Sequence, residues 1–206
     1  YYYPPKGSEY EGKVITYPLG IGREGWATPL GRTKITHTKA GPTWTPPQSI
    51  KDEHAENGDP LPDVVPAGPE NPLGDYALYL GFPSYLIHGT NKPGGIGLRV
   101  SHGCIRLYPE DVAALFSMAG SGTPVQIVNQ PFKVGWMDGV LYLEAHPPDG
   151  DGKKAVETYT PLVEGIIAAT REKPDFPIDW QRAQDLSTNT HGIPVSIGAK
   201  KLAANP

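Results

Sequence analysis

Twenty-five glycines and 24 prolines make up nearly a quarter of the 206 residues. Proline fixes φ and removes a backbone donor, and glycine loses more conformational freedom than any other residue when it is ordered. A share this high approaches that of low-complexity disorder. Yet 4 Trp, 11 Tyr and 4 Phe are spread along the chain, and several apolar runs are long enough to be buried strands. The reading is therefore a folded, loop-rich protein, mainly β with peripheral helices.

Between the loops, local patterns predict the elements. Tyr1–Tyr3 resembles the end of a truncated first strand, and Lys13–Leu19 reads as a strand. A Gly/Pro-punctuated connection over 20–31 would join it to an antiparallel partner at 32–39. Residues 40–74 carry eight prolines and at most a short helix at 48–56. Irregular segments of that length usually lie beside a functional cleft or are mobile, and this one is the candidate for a lid. Strands follow at 75–81 and 84–89, then a glycine-rich loop at 90–100. A helix is expected over 108–120, with Pro109 in its first turn, Glu110 and Asp111 at its positive end, and Val112, Leu115, Phe116 and Ala119 as its buried stripe. Strands at 123–129 and 140–146 precede a polar turn at 147–153. An amphipathic helix over 159–173 would bury Leu162, Ile166 and Ile167. A second helix at 178–186 and a short last strand complete the chain. We expect two domains, 1–130 and 131–206, the latter a small helical extension closing back on the sheet.

Charge narrows the partners. Lys and Arg number 18 against 22 Asp and Glu, and no basic run reaches five residues. Neither a nucleic-acid footprint nor an anionic-membrane patch is expected. No run of 18 apolar residues provides a membrane span. The chain opens YYYPPKGSEYEG without methionine or leader, as a mature or trimmed product would.

The single cysteine, Cys104, excludes an internal disulfide, a CxxC pair and a multi-cysteine zinc site. It lies in SHGC, between the glycine-rich loop and a helix. A free thiol, with a pKa near about 8.5, needs help to act as a nucleophile at neutral pH. Two histidines are near in sequence. His88 ends the apolar run YLIHG and is the better base. His102 precedes Cys104 by two residues and could point with it or diverge in a turn. No acid is placed to complete a triad, so the carbonyl of Gly89 could orient His88. The alternatives are that His88 is a satisfied core histidine and that His102 merely ties the loop to a carbonyl. Arg106 could clamp a substrate carboxylate, or pair on the surface with Glu110 or Asp111. Tyr108 would be a cleft wall or a core residue. No HExxH or CxxC frame supports a metal site, and no cofactor is implied.

IHGTN at 87–91, the glycine-rich loop and SHGCIRL at 101–107 resemble the signature of the L,D-transpeptidase catalytic domain, the YkuD-like or ErfK/YbiS/YcfS/YnhG group of bacterial cell-wall enzymes. PLGIGREGWATPLGRTKI, with TPLG at 28–31, is similar to the family's first hairpin. The resemblance implies a β-sandwich-like catalytic domain and a cysteine acyl-enzyme. It implies Cys104 as nucleophile, His88 as proton donor and acceptor, and Gly89 as the carbonyl that holds His88. Ser101, His102 and Gly103 would shape the cleft and oxyanion region, and Arg106 would bind stem-peptide carboxylates. The implied partners are peptidoglycan stem peptides and, as another acceptor, the C-terminal lysine of an outer-membrane lipoprotein. The implied compartment is the periplasm. The LysM wall-binding module common in the family is missing from this sequence. Three alternatives stand beside this reading. One is a carboxypeptidase or amidase. Another is a papain-like or NlpC/P60-like cysteine peptidase using His191, and the third is a non-catalytic wall-binding module.

Overall fold

Short apolar runs between glycines and prolines become short strands. The computed structural model describes residues 1–146 and 159–198, in two compact units, Tyr1–Ile127 and Val128 onward. The first unit runs β1 (Ile21–Gly22), β2 (Gly31–Ala40), α1 (Gln48–Glu56), β3 (Tyr76–Leu80), β4 (Leu86–His88), β5 (Arg99–Ser101), β6 (Ile105–Arg106), α2 (Pro109–Met118) and β7 (Pro124–Ile127). Five strands form one sheet in the order β6-β4-β3-β2-β7. Only β6 and β4 are parallel in it. A second, two-stranded sheet pairs β1 with β5 in parallel.

Register decides what each face of the large sheet carries. Ile35 is opposite Leu80, Leu78 opposite Ile87, and Ile87 opposite Ile105. These side chains share a face with Leu107 and pack against Val112, Leu115 and Ala119 of α2, while Phe116 is only partly buried. Each fully buried side chain of this kind contributes about 1.5–3 kcal/mol. The opposite face carries Ala77, His88 and Arg106, which are successive register partners. One sheet thus presents a core on one side and candidate chemistry on the other.

The 13–19 strand does not form. That segment makes one isolated bridge, Ile15 to Tyr2, and its Tyr17 packs on the core as a side chain. The antiparallel partners of β2 are instead β3, along Ile35–Ala40, and β7, along Gly31–Lys34. The 40–74 segment is ordered around its neck. The Gly41 amide donates to Asp75 O at 2.8 Å, and Trp44 and Val65 exchange two bonds of 2.8 and 2.9 Å. Asn71, 0% exposed, donates to the carbonyls of Pro42, Pro66 and Val65 and accepts the Leu73 amide. Eight rigid prolines and one buried amide hold α1 in place.

From Val128 onward the elements are β8 (Phe132–Met137), β9 (Val140–Ala145), α3 (Thr160–Thr170), α4 (Trp180–Thr188) and β10 (Pro194–Gly198). Antiparallel β10-β9-β8 carries both helices on a core of Leu141, Leu143, Leu162, Ile166, Ala183 and Ile197. The extension is therefore helix on sheet. Strand β8 is missing from the sequence reading because Lys133 and Gly135 blur its alternation. Six register pairs with β9 define it instead. Ile167 is 57% exposed, because the buried stripe follows Leu162 and Ile166 at a spacing of four and turns Ile167 outward. The expected polar turn at 147–153 lies outside the described residues. Among the described residues, no helix is long and apolar enough to cross a membrane.

Candidate active site

His88 ends β4, where both neighbouring strands hold its backbone. Its carbonyl accepts the Leu107 amide at 2.9 Å. The ring is 2% exposed, and Nδ1 lies 2.6 Å from Gly89 O. A carbonyl can only accept, so Nδ1 carries the hydrogen and Nε2 keeps its lone pair in the neutral ring. Burial drives the His88 pKa down to about 4, and the charge of Arg106 adds to the effect. The backbone groups of Gly89 and Leu73 oppose both. At neutral pH the imidazole is uncharged.

The 101–104 loop is built by hydrogen bonds to its own backbone and to the 22–28 segment. Ser101 Oγ donates to Cys104 O at 2.6 Å and accepts the Gly103 amide at 3.1 Å. Gly103 has φ +101°, and a Cβ there would stand 2.8 Å from Tyr85 Cε1, so only glycine fits the turn. The Gly103 carbonyl accepts from Thr28 Oγ1 at 2.9 Å, and that hydroxyl also takes the Gly22 amide at 3.3 Å. In a trans peptide the following N–H points opposite the carbonyl. Thr28 therefore aims the Cys104 amide away from itself. The Gly103 amide, by contrast, is already engaged by Ser101.

Cys104 is a half-buried free thiol. Its Sγ donates to Ser84 O at 3.7 Å. Burial raises its pKa, while the Leu86 backbone and Arg106 pull it back. Among the described residues no hydrogen bond joins the thiol to His88. Arg106, the register partner of His88, has a buried Nε without a hydrogen-bond partner. The surface pair with Glu110 or Asp111 does not form: burial and Glu110 account for the raised Asp111 pKa.

The second histidine diverges. His102 Nε2 lies 3.0 Å from Glu53 Oε2 and 3.2 Å from Arg23 Nη2, and its ring meets Trp26 edge-on at 4.8 Å. Arg23 Nη2 donates to both Glu53 oxygens, at 2.6 and 2.5 Å. The Glu53 carboxyl is held below its usual range, first by His102 and then by Arg23. Burial lowers His102, Glu53 pulls it up, and Arg23 and Arg106 push it down. Tyr108 is half-buried at the start of α2 and accepts the Val112 amide at 3.0 Å. Among the described residues its hydroxyl bonds to none of the others. Nor do three or more His, Cys, Asp or Glu side chains there gather into a metal-holding group.

The sequence reading has no place for Glu53, Arg23, Thr28 or Ser84. Thr28 had a signal, since it opens the TPLG run at 28–31. Glu53 had none, as 49 residues of chain separate it from His102.

The family model for the L,D-transpeptidase catalytic domain, YkuD, matches residues 2–127. Over 205 residues the chain is 52% identical to the probable L,D-transpeptidase YbiS of Escherichia coli (strain K12), covering 95% of this chain and 64% of that protein. Over 208 residues it is 39% identical to the probable L,D-transpeptidase ErfK/SrfK of the same strain, covering 97% and 64%. The chain thus spans less than two thirds of the length of these relatives. Among solved structures, an L,D-transpeptidase from Mycobacterium smegmatis aligns with a TM-score of 0.45 at 21% identity, over 57% of this chain and 51% of that one.

Proposed function

Since this chain belongs to the L,D-transpeptidase catalytic domain family, we propose that it forms a cysteine acyl-enzyme on the tetrapeptide stems of peptidoglycan. The thiol turns from the Ser84 carbonyl toward His88, whose Nε2 takes its proton. Sγ then adds to the carbonyl carbon between the L-centre of meso-diaminopimelate and the terminal D-alanine. The Cys104 amide, aimed by Thr28, donates to the oxyanion. As the C–N bond breaks, imidazolium returns its proton to the leaving D-alanine amine, and a thioester remains. An acceptor amine gives a proton to His88 and attacks the thioester. The C–S bond breaks, and Sγ recovers the proton.

Arg106 takes a stem carboxylate. Its cationic charge is one of the two causes that depress His88. A bound carboxylate offsets that charge, so the imidazole becomes more basic when substrate is present. The acceptor is a second stem, giving a 3-3 cross-link, or the C-terminal lysine of an outer-membrane lipoprotein, and the compartment is the periplasm.

The observation that carries this reading is the β4–β6 register, which sets His88 beside Arg106, two residues from the only cysteine. The test is intact-mass analysis after mixing with a tetrapeptide muropeptide. Expected are a thioester adduct on Cys104 and stoichiometric D-alanine. A Cys104→Ala protein that still releases D-alanine would refute the proposal. Product analysis with and without a lysine-ending peptide distinguishes the acceptors, and free tripeptide alone would show water in that role.

A further inference from the structure

The proline-rich segment 40–74 reaches the SHGC loop through one carboxylate. Its neck is closed by the Gly41–Asp75 bond, the Trp44–Val65 pair and the buried Asn71. Beyond that neck α1 carries Glu53, and Glu53 is where two other segments meet. Arg23 comes from the loop after β1, and its own amide donates to Ser101 O at 2.9 Å. His102 comes from the loop that carries Cys104. Arg23 Nη2 and His102 Nε2 both converge on Glu53 Oε2, at 2.5 and 3.0 Å, and stand 3.2 Å from each other.

Elementary donor chemistry then assigns the protons. Guanidinium donates only, and an ionised carboxylate accepts only. His102 Nε2 must therefore carry a hydrogen toward Glu53, which makes neutral His102 the Nε2–H tautomer. Remove the carboxylate, and Arg23 Nη2 faces the same nitrogen directly. Two donors cannot share that line, so the ring must offer its lone pair to Arg23 and move its hydrogen to Nδ1, or the loop must part from Arg23. We propose that Glu53 is a positioning residue: it fixes the tautomer and placement of His102, and so ties segment 40–74 to the loop that bears Cys104. The charged groups facing His102 are Glu53, Arg23 and Arg106. The assignment rests on the reading of Cys104 as the nucleophile.

Glu53→Ala tests it, since alanine is the best helix former and Glu53 is 30% exposed, so α1 should persist. Imidazole 15N spectra of the full chain report tautomer and titration without any substrate. The expected change is from the Nε2–H to the Nδ1–H pattern, with the His102 titration moving to lower pH. With a tetrapeptide muropeptide, kcat for D-alanine release should fall about tenfold while KM stays within about twofold, the share of one charge-assisted hydrogen bond. An unchanged His102 spectrum overturns the assignment, whether kcat holds or falls; a fall would then reflect packing alone. If the wild-type protein released no D-alanine, the functional reading would fail, but the spectra would still decide the role of Glu53.

Discussion

Lowering the pH from 7 to 4 drives a proton onto an imidazole that is 2% exposed and faces a guanidinium. In the unfolded chain His88 titrates near 6.5, and in the fold at about 4. Between those values the unfolded state binds more protons, so stability falls as the pH falls through the window. Each pH unit withdraws about 1.4 kcal/mol, and the whole window on the order of 3 kcal/mol. Other groups contribute as well: Glu53 and Asp63 are depressed carboxyls whose stabilisation is also lost on acidification. Comparing the wild type with His88→Asn cancels these, because asparagine does not titrate and keeps an N–H for Gly89 O. The assay is urea unfolding followed through the folded-state NMR signals of β3 at several pH values. The stability difference between the two proteins should be level above pH 7 and change by about 3 kcal/mol between pH 6.5 and 4. Parallel curves across that window would refute the reasoning. The same placement predicts a kinetic signature: the acid limb of kcat/KM should lie near about 4, well below the ordinary histidine range.

Three further outcomes follow from single contacts. Thr28→Val removes the hydroxyl that serves Gly103 O and the Gly22 amide, both buried, and should cost about 1–3 kcal/mol in thermal unfolding. It should also slow acylation of Cys104 by about tenfold or more as the Cys104 amide loses its aim, read by quenched-flow mass spectrometry. Asn71→Leu leaves three carbonyls and the Leu73 amide without their partner, and should lower stability by about 2–4 kcal/mol while hydrogen exchange in α1 rises first. Arg106→Gln should raise KM for the tetrapeptide about 10- to 100-fold, as expected for a lost charge-assisted pair. In the apo form it should also move the His88 titration upward by NMR, since the cation no longer opposes protonation.

Some of this was legible because it is local. The β-branched alternation of 32–39, the Pro-Glu-Asp start of α2 and the apolar run before His88 each act within a few residues, and they became β2, α2 and β4. The SHGC frame was legible for a similar reason: Gly103 must accept φ +101° within one turn, and only glycine does so beside Tyr85. The 13–19 run has a respectable strand pattern but forms no strand, because local pattern does not say which segments the chain brings beside β2, and those are β3 and β7. Lys133 and Gly135 hide a strand that cross-chain pairing with β9 creates. The two-position spacing of His102 and Cys104 could not reveal whether their side chains share a direction.

By itself, then, the sequence determined that short strands would alternate with rigid loops, that one unpaired thiol would sit in a glycine-bearing turn, and that a histidine would end a buried strand. Backbone torsion preferences and apolar periodicity act at short range and survive in one dimension. Only tertiary structure decided that His88 and Arg106 would be neighbours, through strand register. It alone set Thr28 on the Gly103 carbonyl and brought Glu53 across 49 residues to His102. Such contacts depend on where the chain returns. A carboxylate in a proline-rich segment looks the same in sequence whether it meets water or a half-buried imidazole.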